Sequence, residues 1–264
     1  MANPSAHNLF LVGWQFRELF RQLVVRNLKV RYQRSGLGFF WLLVNPALTA
    51  CILIVVFGEI VRLDIPNYWA FLISGYFAWV FFLHTLSTSV FLIPDHAPMA
   101  KSVAVPADVF VLAAVTSRFI EFAVEIAIII VLLAVFHHRG VPASFLLVPV
   151  LSVLLLLLTL GLALPAVAMS VFFRDVQHAL PAALMMLMYV SPVFYPADLV
   201  PAAFRDVYYL NPIAAVLTLF HEALYAGRVP ALSHLAGAAL MSIAIYLIGY
   251  AIFKRERDLF PEIV

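Results

Sequence analysis

The chain has 264 residues, of which 65% are hydrophobic and 11% are charged, and its mean hydropathy is +1.03. A soluble domain of this length cannot bury so much apolar surface, so the composition excludes a soluble protein and predicts an integral membrane protein. The net charge of +2 is too small to indicate a partner by itself. A single cysteine, Cys51, excludes a disulfide within the chain.

Residues 10–36 are predicted to form a basic amphipathic helix before the first apolar segment. Its apolar residues recur with a helical period, whereas most basic residues fall on the other faces. The apolar positions are Phe16, Leu19, Phe20, Leu23, Val24 and Leu28, and the basic ones are Arg17, Arg21, Arg26 and Lys29, followed by Arg31 and Arg34. Such a helix lies in the membrane interface, near anionic head groups or a partner protein. It could be an anchor that only sets topology, or a docking helix for a cytosolic subunit.

Hydropathy predicts six membrane segments, taking about 20 apolar residues as one span. They cover residues 39–60, 69–93, 109–136, 145–173, 179–195 and 232–253. The third and fourth are longer than a span needs, so they should tilt or extend beyond the bilayer. The fifth is short and is bounded by Pro181 and Pro192, which suggests a broken or re-entrant element. We therefore expect one all-α membrane domain with six transmembrane helices.

The distribution of basic residues orients these segments. With the N-terminus in the cytoplasm, eleven of the sixteen Lys and Arg residues lie inside, four lie outside and one lies within a span. The four outside are Arg62, Arg139, Arg205 and Arg228, and the one within a span is Arg118. Positive charge accumulates on the cytoplasmic side of membrane proteins, so both termini are predicted to be cytoplasmic.

Two connecting segments differ from simple turns. The inside loop 94–106 has a proline at each end. This suits either a short element with rigid ends that transmits motion or an ordinary connection. The outside segment 196–230 is long and moderately apolar, and its residues 212–226 have a helical period but are too short to span. Two half-helices that dip into the outer leaflet would fit this pattern, as would a folded external cap.

Three ionisable residues fall on one face of the third segment, namely Arg118, Glu121 and Glu125. Charged groups in a bilayer normally face the bundle interior or water and find partners, and Arg118 can pair with Glu121 one turn away. Three roles fit: a polar lining or charge lock, a salt bridge that packs helices together, or a proton relay. Tyr76 and Tyr195 combine an aromatic face with a hydroxyl donor, which suits contact with a sugar ring.

Catalytic motifs are missing from the sequence. No GxxxxGK[ST] phosphate loop is present, so the chain is not expected to bind and hydrolyse ATP itself. His221-Glu222 lacks the second histidine of a zinc-binding HExxH motif, and His137-His138 lacks metal-ligand spacing. We therefore predict no catalytic residue and no metal site, and we interpret the histidine pair as loop residues near the membrane surface.

Three motifs carry a resemblance to a known family. Residues 31–38, reading RYQRSGLG, lead to Trp41 and Asn45-Pro46; FRDV occupies residues 173–176; and SPVFY at 191–195 is followed by LNP at 210–212. In this order they resemble ABC-2 type permeases, most closely the branch that exports O-antigen, capsule and teichoic acid. The resemblance runs from about Phe16 to the C-terminus.

The resemblance implies a transport subunit driven by a separate ATPase. Two copies of the chain would form one channel in the bacterial inner membrane and move a lipid-linked polysaccharide, O-antigen in the first instance, to the periplasm. Two ATPase copies would hold ATP and Mg, and this chain would need no cofactor. The docking residues would be Arg17, Arg21, Arg26, Lys29, Arg31 and Arg34 with Asp95, His96, Met99 and Lys101 of a coupling loop at 94–107. The gate residues, on re-entrant helices within 196–230, would be Asp198, Arg205, Asn211, His221 and Glu222.

Other functions remain open at the level of sequence. An ABC-2 exporter of a drug or small lipid would need a narrower, fully apolar channel. An integral membrane transferase would need convergent acid, base or metal residues at one membrane face. A scaffold or a channel without an ATPase would have no use for a basic docking helix.

Overall fold

The computed structural model describes residues 16–32, 36, 38–93 and 107–257. Helices account for 84% of these residues, and no strand occurs among them. The expected all-α membrane class is therefore confirmed.

The described part of the chain contains nine helices of eight or more residues. In chain order they are α1 Arg17–Tyr32, α2 Trp41–Ile60, α3 Tyr68–Ser89, α4 Ala107–His137, α5 Ala143–Phe172, α6 Val176–Tyr189, α7 Ala202–Tyr209, α8 Pro212–Tyr225 and α9 Leu232–Glu256. Single 3₁₀ turns at Gly38–Phe40 and Ala197–Leu199 precede α2 and α7.

Five of these helices, α2 to α5 and α9, are long and apolar enough to cross a membrane. The sixth predicted segment, 179–195, corresponds to α6, which has only 14 residues and ends at Tyr189. A helix of this length rises about 21 Å, less than the apolar core of a bilayer at about 30 Å. It ends early because Pro192 has no N–H to donate and disfavours a helical conformation at Ser191. Helices α7 and α8 lie within the segment 196–230 that was expected to re-enter.

Helix α3 lies at the centre of the bundle and contacts α2, α4, α5, α6 and α8. Most of its residues are apolar or small, which is typical of a helix surrounded by others. Trp79 and Phe82 are fully buried, and the small residues Ala70 and Ala78 let neighbouring helices approach. By contrast, α2, α4 and α9 expose large apolar side chains on the outside of the bundle, which suits contact with lipid.

Helices α5 and α9 form the most extensive helix pair. They approach most closely at Gly161 and Gly249, where a Cβ atom on Gly249 would lie 1.8 Å from the Gly161 carbonyl oxygen. Glycine is required at this crossing because the two backbones touch directly.

Helix α1 packs on the first half of α4 through the apolar face that the sequence predicted. Leu23 and Val24 are buried against Val109, Phe110 and Ala113 of α4. The apolar face of α1 is therefore covered by protein, whereas a helix lying freely in the membrane interface would turn it to lipid.

Candidate functional site

Two polar networks lie at opposite ends of the bundle. We call the end that holds α1 the inner end, and the end that holds the turn between α4 and α5 the outer end. The inner network centres on Glu121, whose side chain is 4% exposed. Its Oε2 atom forms an ion pair with Arg31 Nη1 and another with Arg118 Nη1 at 3.3 Å. This network links α1 to α4 across 90 positions of the sequence.

The position of Arg31 on α1 explains this contact. Arg31 follows Val24 by seven residues and Leu28 by three, so it lies on the same face as the residues packed against α4. Arg17, Arg21, Arg26 and Lys29 are exposed on the rest of the helix. Arg31 thus holds α1 on α4, and its predicted contact with an ATPase stays a prediction.

A cavity of about 330 Å³ adjoins the Glu121 network. Its walls are formed by Arg31, Trp41, Leu42, Asn45, Pro46, Val80, Phe81, His84, Arg118, Glu121, Phe122 and Glu125. Glu125 is 5% exposed and lies one turn beyond Glu121 on α4. Both arginines of the cavity wall pair with Glu121, and the pair with Arg31 joins α1 to α4.

Helix α4 is longer than a single span requires. The helix has 31 residues, whereas about 20 residues cross the apolar core of a bilayer. Twenty residues counted inward from His137 end at Arg118, so a span that begins at His137 would have Arg118 and Glu121 near its inner boundary, where water lowers the cost of a charge. Arg118 was expected within a span, and its depth in the bilayer stays a prediction.

Tyr76 and Tyr195 occupy different surroundings. Tyr76 is buried in the core at 6% exposure and packs edge-on against Phe77, outside the walls of the inner cavity. Tyr195 lines a second, mostly apolar cavity of about 810 Å³ between α6, α7 and α8, together with Phe204 and Tyr208. The predicted channel roles of Tyr76 and Tyr195 stay predictions.

At the outer end, three side chains satisfy the carbonyl groups that end α6. Ser191 Oγ donates to Leu187 O at 2.7 Å, and Tyr195 Oη donates to Tyr189 O at 2.8 Å. Asn211 Nδ2 donates to Ser191 Oγ at 2.9 Å and to Val190 O at 3.3 Å. A helix that ends inside a bilayer has no water for these carbonyls, so partners from the protein are required. The SPVFY and LNP motifs therefore meet at the end of α6.

His221 fixes α8 to the centre of the bundle. Its ring is buried and stacks on Phe71 at 4.2 Å between centroids. Nε2 donates to Pro192 O at 2.8 Å, and Nδ1 lies 2.7 Å from Ser74 Oγ. Gly75 leaves room for the ring, since a Cβ there would lie 2.5 Å from it. Burial lowers the pKa of His221 to about 4, so the imidazole is neutral at pH 7.

The last carbonyls of α8 receive donors from the end of α4, the turn that follows it and the start of α5. Ser144 Oγ donates to Ala223 O at 2.7 Å. His138 Nε2 donates to Leu224 O at 2.7 Å, and His137 Nε2 donates to Tyr225 O at 3.0 Å. Both ends of the α7–α8 region are thus fastened to other helices by side chains, which makes it a distinct, anchored unit.

The remaining predicted gate residues lie within or next to the α7–α8 region. Arg205 donates to the carbonyl oxygens of Asp198 and Val200, each at 3.0 Å, and so closes the turn before α7. Glu222 lies 3.2 Å from Arg228 at the end of α8. The structure brings Asn211 and His221 to the motif at 191–195 but leaves Asp198 and Glu222 near the outer surface.

Several predicted residues fall outside the described part of the chain. They are Arg34, Asp95, His96, Met99 and Lys101, together with most of the loop 94–107. Docking by these residues stays a prediction.

Sequence reasoning missed several residues of the outer network. Ser191 was visible as part of a motif, but its partner Asn211 lies 20 positions away. His137 and His138 were interpreted as surface loop residues, and nothing in the sequence near them identifies the α8 carbonyls as their partners. Ser144 gave no signal at all, because a single serine in an apolar segment is common.

Comparisons with known proteins agree with the resemblance. Residues 18–225 match the family described as ABC-2 type transporter. The "O-antigen export system permease protein RfbA" of Klebsiella pneumoniae is 29% identical over 249 residues, 93% of this chain and 96% of the relative. The protein of the same name from Myxococcus xanthus is 29% identical over 251 residues, 94% and 96% of the two chains. The "Polysialic acid transport protein KpsM" of Escherichia coli is 23% identical over 239 residues, 89% and 92% of the two.

The family match covers α1 to α8, and therefore includes both polar networks. Its extent agrees with the helical, multi-pass architecture and with the order of the three motifs. The chain thus belongs to the ABC-2 type transporter family, as a subunit that crosses the membrane several times.

Proposed function

We propose that this chain is the membrane-spanning subunit of an ABC exporter that moves a lipid-linked polysaccharide, O-antigen, from the cytoplasm to the periplasm. The observation that carries the proposal is similarity over nearly the whole length of both chains to permeases named for O-antigen export. The relatives named for polysialic acid transport support the same class of cargo.

The inner end has the features of a docking surface for an ATPase. Helix α1 presents an exposed basic face and is held on α4 by the Arg31–Glu121 ion pair. We propose that two ATPase subunits dock here and on the loop 94–107, and that they hold the ATP and Mg which this chain lacks a motif to bind. Displacement of α1 would then reach α4 through Glu121.

The outer end has the features of a gate. Helices α7 and α8 are each too short to span, and α6 ends beside the Asn211–Pro212 tip between them. We propose that this region lies in the outer leaflet beside a channel built from two copies of the chain. The excess of basic residues at the inner end supports cytoplasmic termini in a bacterial inner membrane.

Deletion and complementation test the cargo. In the source organism, loss of this chain is expected to remove polysaccharide from the cell surface and to accumulate the lipid-linked polymer inside. Surface polysaccharide would be measured by gel and immunoblot, and the wild-type gene on a plasmid should restore it. Normal surface polysaccharide in the deletion strain, with altered export of a drug or small lipid, would contradict the proposal.

Charge reversal on α1 tests the docking surface. The double variant Arg21→Glu/Lys29→Glu is expected to lower co-purification of the ATPase at least tenfold, because both side chains are exposed on the face away from α4. Insertion should be unchanged, since the apolar face of α1 is untouched. The measurement is a pull-down from native membranes in mild detergent.

The matched control is Arg21→Lys/Lys29→Arg, which keeps both charges and should recover the ATPase in full. Arg31 is left intact because its reversal would place two negative groups together at Glu121. Equal recovery of the ATPase with the reversed and the control variants would remove the docking assignment.

A further inference from the structure

A second buried ion pair lies at the inner end, apart from the Glu121 network. Arg257 Nη1 lies 2.5 Å from Asp108 Oδ1, and the two side chains are 11% and 0% exposed. The pair joins the second residue of α4 to the residue that follows α9, across 149 positions of the sequence. Asp108 Oδ2 is buried and has no hydrogen-bond partner among the described residues. Arg257 therefore holds one oxygen of the carboxylate, and the other has no partner in the described part of the chain.

The surroundings of the pair join three helices, α4, α5 and α9. Ile93, which precedes the segment 94–106, is buried in an apolar cluster that also contains Phe253 of α9 and Val167 of α5. Ala107, which follows the segment, packs against the same cluster. The flanks of 94–106 are thus fixed to the inner ends of α5 and α9, and Asp108 is the charged part of that attachment.

The contribution of this ion pair to the stability of the fold does not explain why the pair is present. Removing two charges from water is costly, and an apolar pair of similar volume often holds two helices as well or better. What an ion pair adds is direction, because the N–H···O hydrogen bonds between a guanidinium and a carboxylate form only in a narrow set of relative positions.

We propose that the Asp108–Arg257 ion pair is a mechanical tie that makes the start of α4 and the end of α9 move as one body. This inference rests on the proposed function, in which an ATPase displaces the inner end of the chain. A displacement of α1 or of the flanks of 94–106 moves α4, and the ion pair makes α9 move with it. Helix α9 is in backbone contact with α5 at Gly161, so the displacement extends to α5 as well. Asp108 and Arg257 are positioning residues in this account and need not touch the cargo.

The first test separates coupling from folding. The variant Asp108→Leu/Arg257→Met removes both charges of the pair, and the complex should still assemble. We expect ATP hydrolysis per assembled complex to stay within about twofold of wild type. Surface polysaccharide per ATP hydrolysed should fall at least tenfold. The single variant Asp108→Asn removes one charge of the pair and is used only for comparison of folding yield.

Arg255→Gln is the matched control, because Arg255 lies two residues from Arg257 but is 86% exposed. It should leave export per ATP unchanged. Export per ATP at the wild-type level in the double variant would overturn the tie. A smaller amount of complex would not rescue it, because a merely structural role lowers the amount of complex but leaves the polysaccharide exported per ATP unchanged.

The second test does not depend on the cargo or on the ATPase. Spin labels on Ile120→Cys and Arg255→Cys, with Cys51→Ser as background, report the distance between α4 and the end of α9 within one copy when the purified labelled chain is diluted with unlabelled chain. Both positions are exposed. We expect one narrow distance distribution with the ion pair and a clearly broader one with Asp108→Leu/Arg257→Met. Equal widths would overturn the tie, whereas wild-type protein that exports no polysaccharide would overturn only the proposed function.

Discussion

Replacement of Gly249 by alanine is expected to remove most of the folded protein. The added Cβ would lie 1.8 Å from the Gly161 carbonyl oxygen and 3.1 Å from its Cα. Because these are backbone atoms of another helix, no side-chain rotation relieves the contact, and α5 and α9 must separate. Overpacking usually costs about 1–3 kcal/mol, and we expect more than about 3 kcal/mol here, because the largest helix interface is affected. Folded yield and thermal unfolding in detergent give the measurement.

Gly237→Ala is the matched control on the same helix. A Cβ at Gly237 meets nothing within 4 Å. Alanine has a higher helix propensity than glycine, by about 1 kcal/mol, so this variant should be neutral or slightly more stable. Gly161→Ala should behave like Gly249→Ala, since its Cβ would lie 2.6 Å from the backbone nitrogen of Tyr246. Equal melting temperatures for Gly249→Ala and Gly237→Ala would contradict the close crossing of α5 and α9.

Replacement of His221 by phenylalanine is expected to loosen the α7–α8 unit without opening a large cavity. Phenylalanine keeps a ring to stack on Phe71, but it removes the donor to Pro192 O and the contact with Ser74. A buried polar group left without its partner costs about 1–3 kcal/mol, so the melting temperature should fall by several degrees. His221→Ala should be worse, because it adds a cavity worth about 3 kcal/mol or more.

The control for His221 is His234→Ala. His234 lies 4.0 Å from Glu222 and its side chain is 65% exposed, so truncation should change stability little. Thermal unfolding in detergent and surface polysaccharide in cells would be measured for all three variants. If the unit is a gate, His221→Phe should also change export per folded complex. A melting temperature for His221→Phe equal to that of wild type would contradict the buried hydrogen bonds.

The membrane class and the amphipathic character of α1 followed from the sequence because both are local properties. Hydropathy over about 20 residues identifies a span, and a helical period of apolar residues identifies a buried face. Leu23 and Val24 accordingly pack as the period indicated. The excess length of the third and fourth segments was also visible, and α4 and α5 have 31 and 30 residues.

The fifth segment was harder to delimit from sequence. Its apolar character continues to residue 195, but the helix ends at Tyr189. Hydropathy cannot place this end, because the residues after it are equally apolar. The end is set by Pro192 and by the hydrogen bonds of Ser191, Tyr195 and Asn211, which satisfy the last carbonyls. Only the proline was recognisable as a signal.

The partners of the polar residues were decided by the tertiary structure. The sequence placed Arg118 and Glu121 one turn apart and could pair them, but it gave no indication that Arg31, predicted to contact an ATPase, also reaches Glu121 from another helix. Asp108 and Arg257 gave no indication of each other across 149 positions. Periodicity and hydropathy describe how each helix meets an apolar environment, so they determine which faces are buried. Which buried groups meet depends on how helices distant in sequence cross, and that is decided by packing of the whole bundle.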